Sequence, residues 1–171
     1  MILDKYFKRP FLWDYSIAAL FTILGYLLVY KQIIIVPKID DCVSITTDVI
    51  NISLTMSGFI LTLLTVLITF KGGSKINKNR IDDKETLFDL FFATGLYHET
   101  VRHLKNCIKS LIIVAIIGLN IKIFCPETFK PNIFYFNIFG FTIIMMTISR
   151  CLLILEKIMD LQKENDETQN L

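Results

Sequence analysis

The residues with the most chemical content fall on one repeating pattern. Asp41, Ser44, Asp48, Asn51, Thr55, Gly58, Thr62, Thr65 and Thr69 follow one another at alternating intervals of three and four residues. On an α-helix this spacing keeps one face turned towards a common axis, with left-handed supercoiling. Hydroxyls, an amide and carboxylates without a nucleophile–base pairing make and break no bonds; they solvate water and cations. The functional expectation is therefore a wet pore lined by Asp48, Asn51, Thr55, Gly58, Thr62, Thr65 and Thr69, with Asp41 and Asp48 forming acidic rings at its outer mouth. From Asn51 to Thr69 the stripe extends about 27 Å along a helix, close to the roughly 30 Å of a bilayer's hydrocarbon layer. The same residues also suit tight packing inside a single helix bundle, because small and hydroxyl-bearing side chains let membrane helices approach closely and contribute about 1 kcal/mol per hydrogen bond. Ser53 and Ser57 are expected to broaden the polar face.

Other constellations carry less chemistry. His98, Glu99 and His103 suggest a metal site, but the zincin spacing H-E-x-x-H places its histidines on one helix face. Here the two histidines are five apart, roughly 140° around a helix, and no third ligand follows, so both are expected at a surface or at headgroup level and no metal is assigned. Phosphate-cradling and nucleophile-elbow motifs are absent from the sequence, which leaves nucleotide hydrolysis and acyl transfer without support. No catalytic residue and no cofactor is expected. Lys71, Lys75, Lys78 and Arg80 run without an acid until Asp82. They suit anionic lipid, or capture of an anionic signal such as a nucleotide phosphate at the inner mouth. Cys42 and Cys125 fall on the same side of the expected topology, where a disulfide between them is chemically permitted if their α-carbons come within about 4.4–6.8 Å; two separate thiols are the alternative.

These residues have to be positioned by an unusually apolar chain. Of 171 residues 53% are hydrophobic and 20% charged, with a mean hydropathy of +0.55, against about 45–50% and 25% in ordinary soluble domains. The excess lies in long runs, which excludes a soluble globular enzyme. Four spans are expected, at about 11–36, 49–70, 110–124 and 133–155, joined so that 1–70 and 110–155 form two transmembrane hairpins. The first run is too long for a signal-peptide core and lacks a small-residue cleavage site, so it should stay as an anchor. Lys71-Gly72-Gly73-Ser74 should break the second span. Lys122 and Arg150 should snorkel from span ends to the headgroups. The fold class is thus all-α, an integral membrane protein with four transmembrane helices and a helical cytoplasmic insertion between the second and third. That insertion, 71–109, combines the basic linker with an amphipathic helix from about residue 83 carrying Leu87, Phe88, Phe91, Phe92, Leu96, Tyr97, Val101, Leu104 and Ile108. An acidic tail, 156–171, closes the chain. Fourteen Lys and Arg fall on the side of the N-terminus and four, Lys31, Lys38, Lys122 and Lys130, on the other, so both termini should be cytoplasmic. Tyr6, Phe7, Phe11, Trp13 and Tyr15, and at the other boundary Phe129, Phe134, Tyr135 and Phe136, suit aromatic belts. A composition rich in Ile, Lys and Asn points to an AT-rich coding sequence and a bacterial inner membrane.

The block Ser57-Gly58-Phe59-Ile60-Leu61-Thr62 in a Thr-rich span, the Gly-broken basic linker after it, and a helical insertion before two further spans together resemble the small multi-pass membrane effectors of bacterial antiphage defence systems. That resemblance implies a cyclic homo-oligomer, held closed until infection, whose opening dissipates ion gradients and stops growth. Its expected partners are the lipid bilayer, further copies of itself, and a cytoplasmic sensor protein or nucleotide-type signal. The alternative is a non-conducting membrane anchor or regulatory subunit that binds a soluble or transporter partner through residues 71–109.

Overall fold

The computed structural model describes residues 10–77 and 95–169. Four α-helices and one 3₁₀ segment account for the architecture: α1 (Pro10–Tyr30), α2 (Ile39–Asn77), α3 (Gly95–Phe124), a 3₁₀ turn at Glu127–Asn132, and α4 (Ile133–Gln169). There is no strand among the described residues, and all four α-helices are long and apolar enough to cross a membrane. Ile and Val are indifferent helix formers in water, but in hydrocarbon the backbone has only itself to bond, and a helix closes every internal N–H and C=O.

Local sequence sets the helix ends. Pro10 opens α1, where its missing N–H and fixed φ cost nothing. The same helix stops at Tyr30 rather than running on to Val36, because Lys31 and Gln32 close it with a Schellman turn. Gln32 takes φ 56°, its N–H donates to the Val29 carbonyl at 2.9 Å, and the Ile33 N–H donates to the Leu28 carbonyl at 3.0 Å. Asp40 and Asp41 occupy the first turn of α2, where carboxylates complement the helix dipole. Cys125-Pro126 ends α3, since a residue before proline is pushed out of the α region.

Two sequence expectations need correction here. The Gly pair after Lys71 does not break α2, which continues to Asn77; two glycines cost about 1 kcal/mol each against alanine, too little to end a helix already held along its length. The last helix runs unbroken to Gln169, so the acidic tail extends it, while its apolar span, Lys130–Glu156, ends at the expected place. Arg150 does not snorkel, as described below. Of the 71–109 insertion, residues 71–77 continue α2 and those from Gly95 are continuous with the third apolar segment. Leu87, Phe88, Phe91 and Phe92 lie outside the described residues, as do Tyr6 and Phe7.

The four helices pack as an up-and-down bundle in which α4 touches the other three, α2 and α3 share an extensive interface, and α1 lies chiefly on α4. Between membrane helices association comes from close packing rather than from the hydrophobic effect, and small residues mark the contacts. A methyl group on Gly118 would stand 2.8 Å from Ile50, and one on Gly140 would stand 3.0 Å from Val49. The shared core contains Val49, Ile60, Leu64, Leu111, Val114, Ile143 and Ile144. Trp13, Leu20, Phe21, Ile23, Leu24 and Leu27 of α1 are exposed, as expected of a helix whose outer face meets lipid.

Candidate functional site

The polar stripe lies on one helix, α2, and it faces away from the bundle. Asp41, Ser44, Asp48, Asn51, Thr55, Gly58, Thr62, Thr65 and Thr69 are all exposed in the single chain. The buried residues of the same helix, Cys42, Thr46, Val49, Ser53, Ile60, Leu64 and Leu67, form the opposite side. A methyl group added to Gly58 would meet nothing within 4 Å. The intramolecular-packing alternative is therefore not what the bundle does with these residues. Ser53 also departs from expectation: it is fully buried on the bundle side rather than widening the stripe, and Ser57 is half-buried. Both facts follow from the helical period, because a seam at 42, 46, 49 and 53 cannot share a side with one at 41, 44, 48 and 51.

The stripe's hydroxyls are partly occupied. Thr62, Thr65 and Thr69 donate to the carbonyls of Gly58, Leu61 and Thr65 at 3.0, 2.9 and 2.9 Å. Each of these three hydrogens is thereby used inside the helix, and what these threonines present outwards is oxygen lone pairs, while the exposed Asn51 amide and the Ser44 and Thr55 hydroxyls can also donate. With the carboxylates of Asp41 and Asp48 beyond them, the face is rich in acceptors and attracts cations.

Two polar features of the interior escaped sequence reasoning. Asp14, one turn into α1, and Arg150 of α4 form an ion pair with both side chains fully buried. Arg150 reaches a partner across the bundle instead of the headgroups, because a carboxylate in the interior holds a guanidinium more favourably than the path to water does. Near the other end of α4, Asn137 donates from Nδ2 to the Cys42 carbonyl at 2.8 Å, and the Thr46 hydroxyl stands 2.8 Å from Asn137 Oδ1 and 2.9 Å from the same carbonyl. Lys122, exposed as expected, donates to the Thr47 hydroxyl at 2.9 Å. These contacts tie α2 to α3 and α4 near the acidic end of the stripe.

At the opposite end Lys71 lies 4.0 Å from the centre of the buried Tyr97 ring, a cation–π contact between α2 and α3. Lys75 falls within α2, whereas Lys78 and Arg80 lie outside the described residues. His98 is exposed, but His103 is buried rather than at a surface, facing the bundle with Leu104 and Cys107. No group of three His, Cys, Asp or Glu residues among the described residues could hold a metal ion. Cys42 and Cys125 are present as free thiols, Cys42 buried with its Sγ 3.7 Å from the Pro37 carbonyl and Cys125 half-buried. Comparison with protein-family models, curated proteins and solved structures finds no match to the chain.

Proposed function

We propose that the chain is a homo-oligomeric membrane channel in which copies assemble around an axis normal to the bilayer, with the polar stripe of α2 lining a water-filled, cation-leaning passage. One observation carries the reading: every residue of a stripe as long as the hydrocarbon layer is thick faces out of the bundle. Lipid is a poor neighbour for Asp48 and Asn51, since polar groups in hydrocarbon without partners cost several kcal/mol each, and the threonine oxygens below them are better solvated by water than by acyl chains. Further copies and water between them are the neighbours that suit it. In this reading the termini and residues 71–109 are cytoplasmic and Asp41 lies at the outer mouth, as the distribution of Lys and Arg favours. The layout's resemblance to antiphage effectors supplies the biological proposal: a channel of the bacterial inner membrane, opened by a cytoplasmic sensor or nucleotide-type signal, that collapses the membrane potential of an infected cell.

Ion flux into liposomes, measured beside the mass of the reconstituted protein, tests the proposal. Thr62→Leu and Thr65→Leu keep α2 insertable and remove a hydroxyl from the stripe, so flux should fall by tenfold or more as the passage narrows and dewets while the oligomer survives. Unchanged flux in both variants, or a monodisperse monomer of the parent protein at micromolar concentration, would refute it.

A further inference from the structure

Two columns of exposed apolar residues border the polar arc of α2. Ile52, Phe59 and Val66 run along one flank and Leu54, Leu61 and Ile68 along the other, all six exposed and each column repeating every seven residues. On a helix packed with a seven-residue repeat, each column sits about 50° beyond its edge of the arc. The flanks differ in shape. Phe59 projects a large ring, while on the other side Gly58 leaves a notch, open for 4 Å around its would-be methyl position and bordered in sequence by Leu54 and Leu61.

We propose that adjacent copies join flank to flank, the Phe59 ring of one copy seating over Gly58 between Leu54 and Leu61 of the next. This rests on the self-association proposed above and adds which face meets which. Rotation about an axis normal to the membrane keeps residue 59 of one copy at the depth of residue 58 of its neighbour, so knob and hole meet at one level, as in coiled-coil packing. The two faces are different surfaces, so the contact is heterologous and its repetition closes a ring. The polar arcs then all turn to the central axis.

The competing arrangement, a twofold dimer with stripe against stripe, is disfavoured by charge and by hydrogen bonding. A twofold axis normal to the bilayer would set Asp41 and Asp48 of one copy against the same carboxylates of the other, and like charges in a dry contact repel. It would also face threonine oxygens with threonine oxygens, since Thr62, Thr65 and Thr69 have already given their hydrogens to the helix. Water donates to those oxygens; the same three threonines of a second stripe do not.

Cysteine cross-linking of the full-length protein in liposomes distinguishes the arrangements. In a Cys125→Ser background, with the remaining native cysteines buried, the double variant Phe59→Cys/Leu61→Cys oxidised with copper phenanthroline should give a ladder of covalent multimers ending at the closed ring. Either single variant should give none. Gly58→Leu, which fills the notch without touching its own bundle, should weaken assembly at least tenfold while helix content is kept. An intact oligomer in which Gly58→Cys or Thr62→Cys alone forms dimers in high yield, and the Phe59/Leu61 pair forms none, would overturn the flank contact and leave self-association standing. Assembly of Gly58→Leu at the parent's affinity would overturn it too. A parent protein that is monomeric and cross-links at no position would overturn both readings.

Discussion

Removing Asp14 should cost the bundle far more than an ordinary surface change. Arg150 is only 1% exposed and its partner carboxylate is fully buried, so Asp14→Ala removes the carboxylate from beside a buried guanidinium that cannot lose its proton. Breaking a buried pair from one side costs about 3–5 kcal/mol in soluble proteins, and placing an arginine in a membrane span costs roughly 2.5–3.5 kcal/mol on insertion scales. About 3 kcal/mol is therefore the expected loss, read as a shift in the reversible unfolding of purified protein titrated with SDS in mixed micelles and followed by helical circular dichroism. The apolar double variant Asp14→Leu/Arg150→Met removes both charges at similar volume, and replacements of that kind are neutral to stabilising by about 1–4 kcal/mol. The singles Asp14→Leu and Arg150→Met and their double thus form a cycle with an expected coupling of at least about 3 kcal/mol. If the double loses the sum of the singles to within about 0.5 kcal/mol, the two side chains are not energetically paired and the account of α1 docking on α4 is wrong.

Two further changes test the packing by the same titration. Gln32→Gly should raise stability by about 1 kcal/mol, since the Schellman turn holds a side-chain-bearing residue at φ 56°, where glycine escapes the steric penalty; a loss of stability would mean that the Gln32 side chain matters more than its backbone. Asn137→Ala should lower stability by about 1–2 kcal/mol, because two buried hydrogen bonds between α4 and α2 are lost, whereas Asn120→Ala, whose amide bonds only within its own exposed helix turn, should change it by less than about 0.5 kcal/mol.

Hydropathy made the four helices readable, because apolar runs such as that between Asp48 and Lys71 leave a chain no other way to satisfy its backbone. The 3-4 spacing from Asp41 to Thr69 located a coherent face, but a face has no sign in one dimension: the pattern is the same whether it points into a bundle or out of it. Only the buried seam through Thr46, Ser53 and Ile60 decides that. Ser53 lies on the bundle side because the polarity of a residue says less about its side than its phase in the helical period does. The ion pair stayed hidden because Asp14 stands among belt aromatics and Arg150 near a span end, where single charges ordinarily reach the headgroups; what makes them interior is a partner on another helix. His103 was misjudged for a related reason, since the amphipathic segment from Gly95 is part of the bundle and not a separate surface helix.

The distance along the chain between Asp14 and Arg150 also gives the fold a timetable. Arg150 is made on the order of 140 residues after Asp14, which at roughly 5–20 residues per second leaves the first helix about 7–27 seconds without its counter-charge. During that interval α1 has a carboxylate one turn from its start and little of its surface committed to any neighbour. The nascent chain must therefore hold its opening helix provisionally and seat it last, after α4 has emerged. A ribosome that stalls before residue 150 leaves behind a protein whose first span has nothing to dock on, a ready mark for membrane quality control to recognise.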